Sequence, residues 1–182
     1  LPVESNNLNE KLDQLNGLAR DEAENEFMKC CGSSKWAQRM VGARPFDDAH
    51  ELLLSADSIW WGLNEADWLE AFSRHPKIGE RKAEREQAAE AARWSSEEQA
   101  GTRDSSSEAL SDLSEANRAY ERKFGYIYIV CATGKTTEEM LEILNGRLRN
   151  DPQTEIRIAA EEQRKITQLR LKKLLTRLES GT

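Results

Sequence analysis

Among the titratable side chains of this sequence, His75 is the first candidate for proton transfer. It stands in Arg74-His75-Pro76-Lys77-Ile78-Gly79, where a helix starting near Asn64 is expected to end. The negative end of a helix dipole favours an imidazolium, and an imidazole titrates near pH ~6.5. The same ring would serve equally as a plain helix C-cap. His50, inside Asp48-Ala49-His50-Glu51, reads as a surface residue. Glu98 offers a carboxylate that can orient a group or accept a proton. It also completes Ser95-x-x-Glu98, a pattern of the capping-box form. Arg170 falls between Leu169 and Leu171 on an apolar stripe, so its guanidinium needs an anionic partner, either a protein carboxylate or a bound one. With only two histidines and no Cys-x-x-Cys pair, a histidine-rich or cysteine-pair zinc site is not expected.

The elements that must position these groups are mainly helical. Leu8, Leu12 and Leu15 share one helix face, and Ala23, Phe27 and Cys30 share another until Gly32. Ser33 or Ser34 is expected to cap a short helix with Trp36 and Met40, ending before Pro45. Asp47 or Asp48 would cap the next, with Leu52, Leu53, Ala56, Ile59 and Trp60 inward. Asn64 would open a helix carrying Trp68, Leu69 and Phe72, stopped by Pro76. Residues 80–93 have helix-forming composition but no apolar stripe, and read as an exposed helix or a loop. A polar break spans Asp104 to Ser107. Leu110, Leu113, Ala116 and Tyr120 mark a helix ending near Gly125, and Thr136-x-x-Glu139 opens another through Met140, Leu141, Leu144 and Leu148. Asn150-Asp151-Pro152 breaks that one. A last helix follows from about Gln153 to Leu178, with Ile156, Ala159, Gln163, Ile166, Leu174 and Leu178 as inner-face candidates.

One segment departs from this pattern. Tyr126-Ile127-Tyr128-Ile129-Val130-Cys131 is β-branched and aromatic, as a strand would be, yet no partner strand is evident. A buried extended segment would leave N–H groups in need of partners, and a ligand could supply them. A buried helical turn fits the pattern equally. The expected fold is therefore all-α, a single multi-helix domain over residues 1–182 with a buried extended segment near 126–132.

Composition narrows the function classes. Of 182 residues, 38% are hydrophobic and 32% charged, and the net charge is -7, which disfavours nucleic acid or an anionic membrane as partner. No apolar run approaches a membrane span. Cys30, Cys31 and Cys131 are an odd set with two neighbours adjacent, a poor disulfide framework, so a reducing cytoplasm is the simpler expectation. The C-terminus, Glu179-Ser180-Gly181-Thr182, is not a peroxisomal tripeptide.

The ordered motifs go further. They are Cys31-Gly32-Ser33 with Trp36-Ala37 and Met40; Arg44-Pro45-Phe46; His75-Pro76-Lys77-Ile78-Gly79; and Ser95-x-x-Glu98-Gln99. Asn117-x-x-Tyr120-x-x-Lys123-Phe124-Gly125, Cys131-Ala132, Arg147-Leu148 and Lys165-Ile166-x-x-Leu169-Arg170-Leu171 follow. Together, over roughly residues 8–175, the chain resembles the 2-oxo-4-hydroxy-4-carboxy-5-ureidoimidazoline (OHCU) decarboxylases. The resemblance implies an all-α homodimer catalysing the last step from urate to (S)-allantoin without a cofactor. It implies His75 as the catalytic histidine with Glu98 beside it. Pro76, Ser95, Gln99 and Arg170, with the backbone of Tyr128, Ile129, Val130, Cys131 and Ala132, would contact the ureidoimidazoline substrate. The charged 80–93 stretch departs from the family pattern in a region that varies. A fused transthyretin-like hydrolase, present in some relatives, is not expected here. An acidic helical module that binds partner proteins is the alternative from another class, and only the motif set argues against it.

Overall fold

The computed structural model describes residues 2–78, 89–102 and 106–177. Among them the fold is all-α: α1 (Pro2–Gly17), α2 (Arg20–Cys30), α3 (Ser34–Ala43), α4 (Ala49–Trp61), α5 (Glu65–Ser73), α6 (Ala89–Glu98), α7 (Ser107–Phe124), α8 (Thr137–Arg147) and α9 (Pro152–Arg177). No helix is long and apolar enough to cross a membrane among these residues. They form two compact units, one of residues up to Glu70 together with those from Arg164 onward, the other Ala71–Gln163.

Local chemistry explains most helix ends. Ser33 caps α3, its hydroxyl accepting from the Trp36 N–H, and Asp48 caps α4 through the Glu51 N–H. Asn64 accepts from the Asp67 N–H at 3.0 Å while Asp67 reaches back to the Asn64 N–H. Thr136 and Glu139 form a reciprocal capping box on α8. Gly125 ends α7 with φ +82°, the left-handed conformation that glycine adopts without a steric penalty.

The expected helix start at Ser95 is overturned. α6 runs from Ala89 to Glu98, so Ser95 and Glu98 lie in its last turns. The alanine-rich stretch before them has enough helix propensity to carry the helix past the serine. Of the 80–93 stretch, residues 80–88 lie outside the described residues, as does Gly79 before it, and Ala89–Arg93 belong to α6. Of the expected polar break, residues 104–105 also lie outside, and Ser106 caps α7.

In the first unit, Phe27 packs edge-on against Trp36 and Phe46. The indole of Trp36 donates to the Ala56 carbonyl and that of Trp68 to the Trp60 carbonyl, both at 3.1 Å. Arg44 donates to the Leu15 and Leu18 carbonyls at 2.9 Å each, satisfying acceptors at the end of α1. All three cysteines are buried and unpaired.

The second unit is built around Leu113, Tyr120, Tyr128, Val130, Met140 and Leu144. Beside this core lies a buried ionic cluster. Arg147 donates from Nε to Glu155 at 2.7 Å and from Nη1 to the Ile129 carbonyl at 2.7 Å, and its guanidinium covers the Tyr128 ring. Tyr120 donates its hydroxyl to the same Glu155 oxygen, and Asn150 donates to the other at 2.8 Å. Glu155 is fully buried and Arg147 nearly so. Removing one partner strands the other's charge in a dry site. Glu155→Ala should therefore lower the unfolding free energy by about 3–5 kcal/mol, read as a reduced urea midpoint at unchanged m-value. The double variant Arg147→Met/Glu155→Leu, which strands neither charge, should recover part of that loss.

Candidate active site

The described candidate residues of the second unit lie on three stretches of chain. The first is the end of α5. The carbonyls of Ala71 and Phe72 accept from the N–H groups of Arg74 and His75 at 3.2 Å, a tightened final turn before Pro76. The half-buried His75 ring meets Gln163 of α9, Nε2 to Oε1, at 2.6 Å. Gln163 is fully buried. Beyond Pro76 the chain is fastened again: Lys77 pairs with Glu121 at 2.7 Å, and Asn117 donates to the Ile78 carbonyl at 3.3 Å. Arg74-His75-Pro76-Lys77-Ile78 is thus held on both sides of the imidazole.

The second stretch is the segment after Gly125. Tyr126 packs its ring against Phe72 and Tyr120. Tyr128 to Ala132 are buried and carry neither helix nor strand, so the extended alternative is the one observed. Side chains take the place of a neighbouring strand. The Tyr128 hydroxyl donates to the Met140 carbonyl at 3.1 Å. Arg147 takes the Ile129 carbonyl, and Lys135 Nζ takes the Cys131 carbonyl at 2.7 Å. The Cys131 N–H donates to Glu162 Oε2 at 2.7 Å. Burial raises the Cys131 thiol above its ordinary pKa, the Glu162 and Glu98 carboxylates push the same way, and Lys135 partly offsets them.

The third stretch is the end of α6. Ser95 and Glu98 are buried there and Gln99 is half-buried. The 3-10 turn Ala100–Thr102 follows. A Cβ at Gly101 would overlap the Lys135 carbonyl, so glycine is needed for this close approach. Glu98 lies within electrostatic reach of Cys131.

His75, Pro76, Ser95, Glu98, Gln99 and Tyr128–Ala132 therefore all belong to the second unit. Arg170 belongs to the first, where it is buried and donates to the Lys29 carbonyl at 3.4 Å. Two residues were not singled out from sequence as site residues, Glu162 and Gln163. Gln163 had a signal: it is an amide on the stripe Ile156, Ala159, Ile166. Glu162 had none, as an acid in a highly charged helix. Among the described residues no group of three His, Cys, Asp or Glu is placed to hold a metal ion.

The sequence profile of the OHCU decarboxylases matches residues 16–172. The chain belongs to the OHCU decarboxylase family. It is 42% identical over 160 residues to the uric acid degradation bifunctional protein TTL of Arabidopsis thaliana, covering 87% of this chain and 49% of that protein. It is 30% identical over 167 residues to the 2-oxo-4-hydroxy-4-carboxy-5-ureidoimidazoline decarboxylase of Amia calva, covering 89% of this chain and 93% of that one. A crystal structure of an OHCU decarboxylase in the presence of (S)-allantoin superposes with a TM-score of 0.69 at 41% identity, over 84% of this chain and 98% of that one. The chain spans about half the length of the Arabidopsis bifunctional relative and about a third of the Bacillus one.

The first unit's two adjacent free thiols carry a pH dependence. Burial raises Cys31 from 9.0 to about 11, and raises Cys30 further, with Arg170 pulling both down. A folded-state pKa above the unfolded value contributes stability present below pH 9.0 and lost as pH rises toward 11. Urea midpoints should fall across that window, and Cys30→Ala/Cys31→Ala should flatten the fall. An unchanged slope would assign it elsewhere.

Proposed function

We propose that this protein decarboxylates 2-oxo-4-hydroxy-4-carboxy-5-ureidoimidazoline to (S)-allantoin, the last step of urate degradation to allantoin. The substrate's carboxylate is on a carbon next to a ring imine. When the bond to the carboxylate breaks, the electron pair moves into that imine, and CO2 leaves. The substrate is its own electron sink, so the protein supplies position and protons without a cofactor.

His75 is the acid/base that manages the proton and delivers one to a single face of the resulting carbon. Glu98 holds the hydroxyl or ureido group. The backbone of Tyr128–Ala132 offers N–H groups to carbonyl oxygens, shaped before substrate arrives by Arg147, Lys135 and Glu162. Pro76, Ser95 and Gln99 line the substrate. We treat residues 1–182 as one decarboxylase domain, acting as a homodimer in the cytoplasm. The family match across residues of both units supports the first point, and three unpaired thiols support a reducing compartment.

One observation carries the reading: the His75 ring and the irregular buried segment at Cys131 are fastened to adjacent residues of α9, Gln163 and Glu162. The test couples the protein to urate oxidation and hydroxyisourate hydrolysis, then follows the product by circular dichroism. Wild type should yield one enantiomer, and chelation with dialysis should leave the rate unchanged. His75→Asn should stay folded, lose about two or more orders of magnitude in turnover, and give the racemate of the spontaneous reaction. A single enantiomer at wild-type rate from His75→Asn would reduce the histidine to a cap, and a need for added metal or organic cofactor would overturn the proposed chemistry.

A further inference from the structure

We infer that Gln163 is a positioning residue that fixes His75 as the Nε2–H tautomer and leaves Nδ1 as the nitrogen that exchanges the proton with substrate. The inference rests on the functional reading above. Its basis is the pairing itself: Gln163 turns its amide oxygen, which has lone pairs and no proton, toward His75 Nε2 at 2.6 Å. An unprotonated Nε2 would set lone pair against lone pair at that distance, so Nε2 carries the hydrogen. Gln163 is fully buried, so the pairing is shielded from water.

An amide suits this task better than a carboxylate. A carboxylate at this position would stabilise the imidazolium and raise the histidine's pKa. The neutral amide holds the ring equally in both charge states, because Nε2 keeps its hydrogen throughout the cycle. The proton then moves between substrate and Nδ1 only, while the pair from the broken carbon–carbon bond moves into the ring imine and afterwards takes up a proton. Glu162, the next residue, holds the Cys131 N–H. One turn of α9 therefore sets the registration of the proton donor against the segment that would hold the substrate. The spacing matters because one face of the product carbon must be protonated and the other not.

The sequence makes the test clean, since only two histidines exist and His50 is exposed. The full chain carrying His50→Gln and 15N-labelled histidine reports on His75 alone. Above the imidazole titration, Nε2 should give the pyrrole-type and Nδ1 the pyridine-type nitrogen signal. The reverse pattern overturns the inference. Gln163→Met, close in volume, should mix the tautomers and lower kcat about 10–100-fold, the scale seen when the orienting partner of a metal-bound imidazole is lost, with KM within about twofold. Gln163→Glu should restore the Nε2–H form and move the His75 titration to higher pH. Unchanged tautomer and kcat in Gln163→Met would make Gln163 a packing residue. If the tautomer shifts as described but wild type forms no chiral allantoin, the positioning stands and the functional reading falls.

Discussion

A buried backbone must have its hydrogen bonds satisfied, and the stretch from Tyr128 to Ala132 has no helix or strand of its own to do it. Much of what surrounds it answers that demand. Arg147 reaches the Ile129 carbonyl, Lys135 the Cys131 carbonyl, and Glu162 the Cys131 N–H. Arg147 is charged and buried, so it brings Glu155 in with it, and Glu155 collects Tyr120 and Asn150. An irregular segment of a few residues thus draws the end of α8, the start of α9 and the middle of α7 into one polar cluster.

Such a segment is costly as mere connection and useful as a template. A strand in a sheet spends its N–H groups on a neighbour, whereas a segment held by side chains fixes its shape while keeping backbone donors directed by that shape. The imidazole of His75 is held on the same principle, by a buried amide instead of a second charge. Gly101 permits the turn after α6 to lie against Lys135. Rigidity at the candidate site comes from polar partners whose own positions are set by burial.

Much of the scaffold was legible in the sequence because helix ends are local chemistry. Ser33, Asp48, Asn64, Thr136 with Glu139, and Gly125 act where their residue types suggest. The Ser95–Glu98 pattern misled because capping residues and helix-interior residues overlap in type, and the alanine-rich run before them decided the matter. The segment after Gly125 could not be assigned from its β-branched composition, since strand or helical turn depends on distant partners. His75 and Glu98 stood out as candidates by residue type and position, and the resemblance of ordered motifs singled them out from the other polar residues. Gln163, which holds the His75 ring, and Glu162, which holds the Cys131 N–H, were hidden because a polar residue in a helix is informative only once its neighbour across the fold is known.

The central claim is that the side-chain-held segment is the surface on which substrate is bound. The most direct measurement is a titration of the 15N-labelled protein with (S)-allantoin, following backbone amides by heteronuclear NMR. The account predicts that the largest shifts and the slowest amide exchange on saturation fall at Tyr128–Ala132 and at the His75 amide. Saturable binding that leaves those amides unmoved and perturbs another surface would contradict it.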